Sequence, residues 1–161
     1  MHSHTTRSAG VVAVALAAML TATPARAQGG ERAIVSTGTK FLDGIRGRDT
    51  SLMRSTVAPG ATFVPVGGPT GLAAAVAVDG IIERTGKGTG PGNDERIETP
   101  KVHVDQQLGS LWAYFTLTLP GESKIDRCGV NMFLLRKGAD GWKIFQIAAT
   151  SRTEGCKAIS K

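Results

Sequence analysis

The stretch that decides the fold runs from Leu111 to Cys156 and reads "LWAYFTLTLPGESKIDRCGVNMFLLRKGADGWKIFQIAATSRTEGC". It holds three strand-length runs rich in β-branched and aromatic residues. The breaks between them, "PGES" and "GADG", suit four-residue hairpin loops. One step upstream, "IETPKVHVDQ" (Ile97–Gln106) adds a fourth run with the same period of two. The C-terminal half therefore predicts an antiparallel meander.

The hairpins imply a register. If Lys137 pairs with Trp142 across "GADG", Phe133 lies opposite Gln146 and Asn131 opposite Ala148. If Leu119 pairs with Lys124 across "PGES", Thr116 opposes Arg127 and Trp112 opposes Asn131. Side chains alternate along a strand. One face then collects Trp112, Tyr114, Thr116, Arg127, Asn131, Phe133 and Gln146, with the mixed character of a pocket wall. The other collects Ala113, Phe115, Leu117, Cys128, Val130, Met132, Leu134, Phe145 and Ile147, an apolar surface expected to meet helices or a second subunit. Tyr114 and Trp112 also fit a plain core whose polar tips are satisfied.

Upstream the period becomes helical. In "ERAIVSTGTKFLDGIRGRDTSLMRSTV", Ile34, Phe41, Leu42 and Ile45 form one apolar stripe. Asp49 or Thr50 can cap a second short helix pointing Leu52, Met53 and Val57 inward, and Pro59–Gly60 end it. "ATFVPV" (Ala61–Val66) is a strand candidate, with Pro65 confined to an edge or a strand end. A "GGPTG" turn and "LAAAVAV" follow, and Asp79 is placed to cap a helix over "GIIERTG". "KGTGPGNDER" (Lys87–Arg96) predicts a mobile loop near a pocket mouth. Helices followed by a meander indicate an α+β domain, with N-terminal helices packed on a strongly curved antiparallel sheet.

The first 27 residues stand apart. They combine a charged start at Arg7, the apolar "GVVAVALAAML" (Gly10–Leu20), shorter than the ~20 residues of a bilayer span, and Ala25 and Ala27 before Gln28. That is the pattern of a secretory signal peptide. Residues 28–161 are expected to form one exported domain, with no membrane association after cleavage. Removing Arg7 and Arg26 lowers the formal charge from +6 to +4. The remaining bases form no run, so nucleic acid is not an expected partner.

Two cysteines remain, Cys128 and Cys156. An even count in an exported chain is compatible with one structural disulfide, and two independent thiols are the alternative. Beyond residue 27 the chain holds one histidine, His103. That leaves no zinc cluster, and no metal or cofactor is expected.

The order of elements resembles the nuclear transport factor 2-like superfamily, whose members wrap helices on a bent sheet to form a cone. The residues that carry the resemblance are "FLDGIRGRDTSLMRSTVAPGATFV" and Leu111–Cys156, and it spans about Glu31 to Cys156. "RCGVNMFLLRK", "GWKIF" and "TEGC" are similar to an often exported bacterial branch that reads "HCG-x-D/N-x-F-x-L-x-R", "GWKI" and "R-x-x-GC". Arg127 stands where that branch carries histidine. The superfamily includes ketosteroid isomerases, scytalone dehydratase, SnoaL-type cyclases and non-catalytic modules, so the resemblance does not select a reaction.

Several polar residues could carry chemistry. An isomerase needs a carboxylate base and an oxyanion donor. Asp43, Asp105 and Asp126 are candidate bases, and Tyr114, the sole tyrosine, is the candidate donor. His103 and Asp105, two apart on one strand, could form a dehydratase pair or a surface pair. Arg127 beside Asn131 suits an anionic group. There is no G-x-S-x-G elbow, and "GKGTGPG" lacks the lysine–serine ending of a P-loop. The expected function is binding of a small, partly apolar molecule in the cone by Trp112, Tyr114, Arg127, Asn131, Phe133, His103 and Asp43, in a homodimer formed through the sheet. The alternative is a cofactor-independent isomerase, cyclase or dehydratase. A structural or interaction module is a third reading.

Overall fold

Helix α1 (Pro24–Gly47) lays Ile34, Phe41 and Leu42 against the sheet, as its apolar stripe predicts. Gly38 lies beneath it, and a Cβ there would stand 2.8 Å from Leu111 Cδ2. The missing side chain is what lets the helix settle onto the strand. Helix α2 (Thr50–Thr56) is capped by Asp49, whose carboxylate accepts the Leu52 amide at 2.8 Å, and it buries Met53. The computed structural model describes residues 24–67 and 73–157. The expected leader lies outside the described residues up to residue 23, and its cleavage position after Ala27 falls in the first turn of α1. Most of the "GGPTG" turn also lies outside them.

Strand β1 (Val57–Val66) starts at Val57, so Val57 opens a strand instead of completing a helix face. β2 (Val76–Ala77) pairs only with Thr62 and Phe63, so Pro65, in register with Ala149 of β6, lies near the end of β1 beyond the β2 pairing, as expected for a strand-end proline. Helix α3 (Val78–Lys87) is preceded by Ala77, without a side-chain cap. Asp79 sits in its first turn and pairs with Arg54 at 2.8 Å, in place of the capping role expected for it. The meander then follows as β3 (Asp94–Asp105), β4 (Leu108–Thr118), β5 (Ile125–Gly138) and β6 (Gly141–Thr150).

The strand order is β2-β1-β6-β5-β4-β3. The four-stranded meander is antiparallel as expected, but β1 joins β6 in parallel, so the curved sheet is mixed, and it is unclosed. The α+β class stands. The helices share one face of the sheet with the core, built around Phe133, Leu111, Leu135, Ile144 and Trp142. Each such aliphatic or aromatic side chain contributes about 1.5–3 kcal/mol on burial.

The expected register holds at both hairpin ends and fails beyond them. Lys137 pairs with Trp142, but Phe133 meets Ile147 and Asn131 meets Ala149. Thr118 pairs with Ile125, but Thr116 meets Cys128 and Trp112 meets Met132. The cause is a β-bulge in each hairpin, at Phe145 and at Asp126, where one residue is left without a partner and everything past it slips by one. The slip exchanges the faces of neighbouring strands. Ala113, Phe115, Leu117, Arg127, Asn131, Phe133 and Ile147 lie on the helix side. Trp112, Tyr114, Thr116, Cys128, Val130, Met132, Leu134 and Gln146 lie on the outer side.

Candidate functional site

Between α1, α3 and the inner face of the sheet lies a cavity of about 570 Å³. Its apolar floor comes from Phe41, Leu42, Phe63, Phe115, Phe133 and Ile147. Ala149 adds a small side chain to the wall. Gly129 stands between Arg127 and Asn131 on the same face of β5. A Cβ there would come within 2.1 Å of the Thr150 carbonyl oxygen, so this close approach of the backbones needs glycine.

Three polar groups converge on this floor. Glu95 is half-buried with its carboxyl on the cavity wall, and Asn131, 4% exposed, donates Nδ2 to Glu95 Oε1 at 2.5 Å. Burial pushes the Glu95 carboxyl above its ordinary value, and the Asn131 hydrogen bond and the Arg127 charge pull part of the way back. Arg127 sits at the rim with its Nε bonded to Asp126 at 2.6 Å. Consecutive strand residues ordinarily face opposite ways. The bulge at Asp126 is what brings this carboxylate round to its neighbour's guanidinium.

Glu95 was not among the residues the sequence suggested, because residues 87–96 read there as a loop. β3 in fact begins at Asp94, and Glu95 is in phase with inward-facing Ile97, opposite Leu117. The alternation Glu95–Ile97 was the available signal. The glycine-rich segment before it is tied down. Arg48 donates to the carbonyls of Thr85 and Gly90 at 2.9 and 2.8 Å, and Gly92 N–H bonds to Arg46 O at 2.7 Å. These bonds place Asn93 on the cavity wall, near the mouth as expected.

Of the candidate residues, Arg127, Asn131 and Phe133 come together in the cavity. Trp112 and Tyr114 do not: the register slip puts both on the outer face, where Trp112 is 49% exposed and Arg152 lies over the Tyr114 ring. Asp43 lines a neighbouring cleft and is ion-paired to Arg46, which also bonds Asp94 at 2.9 Å. Burial raises the Asp94 carboxyl, but hydrogen bonds from Arg96 and Arg46 outweigh it and hold the group below its usual range. His103 and Asp105 are exposed on β3, away from the cone. The Asp43–Tyr114 and His103–Asp105 combinations are therefore not assembled in the cavity. Cys128 and Cys156 are joined by a disulfide. Cys128 also exchanges both backbone hydrogen bonds with Arg152, so the bridge fastens the chain just beyond Thr150 and Ser151 at the cavity rim.

A nuclear transport factor 2-like protein with a cystatin-like fold from Novosphingobium aromaticivorans superposes with a TM-score of 0.63, over 83% of this chain and 88% of its own, at 13% identity. The chain has the nuclear transport factor 2-like fold. A candidate dehydratase of the nuclear transport factor 2-like family from Streptomyces avermitilis matches with a TM-score of 0.61, covering 78% of this chain and 98% of its own at 11% identity. A nuclear transport factor 2-like protein of unknown function from Shewanella baltica matches at 0.58, covering 75% and 92%, at 17% identity. No family model and no curated protein matches the sequence. At such identities the nuclear transport factor 2-like fold is what the neighbours share, and activity has to be argued from the cone itself.

Proposed function

We propose that the protein is an exported binding domain whose cone holds a small, partly apolar molecule, with the polar group of that molecule met by the polar side chains that line the cavity, Arg127 and Asn131 among them. The observation that carries this reading is the convergence of Arg127 and the hydrogen-bonded Glu95–Asn131 pair on an aromatic and aliphatic floor. A large apolar pocket with a few convergent polar groups is how small-molecule sites are built. The leader-like segment over residues 1–27 supports export, and a secreted form beginning at Gln28 is the expected mature protein.

Thermal-shift screening of small phenols, alcohols and carboxylates tests the binding reading. A ligand that raises the melting temperature of the protein should lose its effect on Ala149→Phe, which fills the cavity from its wall. An unchanged shift in that variant, or no shift from any compound, overturns the proposal.

A second reading is favoured by one observation, the Glu95 carboxyl set beside the Asn131 amide over an apolar floor, where burial raises it. A buried carboxyl shifted toward neutrality suits general acid–base catalysis without a cofactor. Glu95 would take a proton from carbon next to a carbonyl and return it, with Asn131 beside it. Exchange of α-protons of cyclohexanone for solvent deuterium, followed by NMR, reads this step. The exchange should vanish in Glu95→Gln, and exchange that survives in the variant sinks the catalytic reading.

A further inference from the structure

We infer that the mouth of the cone selects an anion: the ligand class is an amphipathic monocarboxylate, its apolar body on the aromatic floor and its head group between Arg127 and Arg84. The inference rests on the binding reading above and adds the ligand's charge and orientation to it.

Four observations carry it. Arg127 is bonded to Asp126 through Nε alone, so its two terminal Nη groups have no partner among the described residues. They are the fork that receives a carboxylate with two parallel hydrogen bonds. Arg84, in the last turn of α3, lines the same cavity and has no carboxylate partner among the described residues. Asp79 and Asp94 are committed elsewhere, to Arg54 and to Arg46 and Arg96, and Glu95, which feels the Arg127 charge, is hydrogen-bonded to Asn131 and not to either arginine. The rim also includes Asn93 and Ser151, whose amide and hydroxyl can hydrogen-bond an anion without opposing its charge.

The floor sets the other half of the molecule. Phe41, Phe63, Phe115 and Phe133 accept an aryl or alkyl body. Inside, Glu95 is the one acid lining the cavity among the described residues, so a ligand entering head-first would bring its carboxylate against it. The charge pattern therefore orients the guest with its apolar end inward.

Calorimetric titration with cinnamate and its neutral amide, cinnamamide, tests the assignment, with octanoate and octanamide as a second pair. The carboxylates should bind about 10-fold or more tightly than the amides, as charge-assisted hydrogen bonds imply. Arg127→Gln should remove most of that preference, and Arg84→Gln should reduce it further. Both residues are exposed, so the unliganded variants should melt as the wild type does. Equal binding of acid and amide to the wild type, or a preference that survives the double Arg84→Gln, Arg127→Gln variant, overturns the assignment while leaving the binding reading intact. If neither acids nor amides bind, the binding reading itself fails and takes the assignment with it.

Discussion

Replacing Asn131 by leucine, which has nearly the same shape, removes the donor to Glu95 and little else. The wild-type bond joins a residue 4% exposed to a carboxyl buried in the cone. Hydrogen bonds to charged groups contribute about 1.5–3 kcal/mol, and neutral ones about 0.5–1.5 kcal/mol. The cost should therefore depend on the protonation of Glu95. Burial raises this carboxyl in the folded protein, so its contribution to stability is complete below the ordinary glutamate value and is lost as pH rises through the folded one. Asn131 limits that loss by favouring the ionised form. Without it the carboxyl moves higher still, and the penalty for ionising it grows with pH. Urea unfolding followed by tryptophan fluorescence should show a small cost near pH ~4 and a cost of about 1.5–3 kcal/mol near pH ~8, moving the midpoint by about 1 M. In a Glu95→Gln background the cost of Asn131→Leu should be the same at both pH values. An equal cost at both pH values with Glu95 present, or a pH dependence that persists in the Glu95→Gln background, would refute the pairing and with it the polar anchor of the cone.

Two other predictions follow from the outer face and the tail. Cys128→Ser with Cys156→Ser opens a loop of sequence separation 28 and should cost about 3–4 kcal/mol if the bridge acts by restricting the unfolded chain; an unchanged melting temperature in both oxidising and reducing buffer speaks against that account. We also propose that the uncovered outer face pairs with a second copy. Trp112→Glu should then shift the mass measured by light scattering from dimer to monomer, whereas a wild type that runs as a monomer removes the dimer outright.

Periodicity in the sequence reported the element types reliably, because it reflects which faces must leave water. The α1 stripe, the Asp49 cap and the four meander strands follow from residue character and spacing alone. Turn chemistry even set the pairing next to each hairpin, where Lys137 meets Trp142 and Thr118 meets Ile125. The site was less legible. The spacing on β5 groups Arg127, Asn131 and Phe133, as in the structure, but the hairpin register puts Trp112 and Tyr114 on the same wall and they lie on the other side.

The difference has one physical origin. Alternation along a strand is local, so β5 by itself tells which of its residues travel together. Which residues of β4 and β6 join them depends on two unpaired positions, Asp126 and Phe145, and a bulge leaves no mark in composition. Those bulges are selected by packing of helices, floor and rim at once. Glu95 escaped for a similar reason: beside a glycine-rich segment its charge reads as loop, and only the pairing of Asp94 and Glu95 with β4 makes it a strand residue facing inward. The sequence alone therefore determined a helix-capped meander and the β5 part of the cavity wall. Tertiary structure decided which face each neighbouring strand presents, placed one buried carboxyl in the cone, and set the two arginines at its mouth.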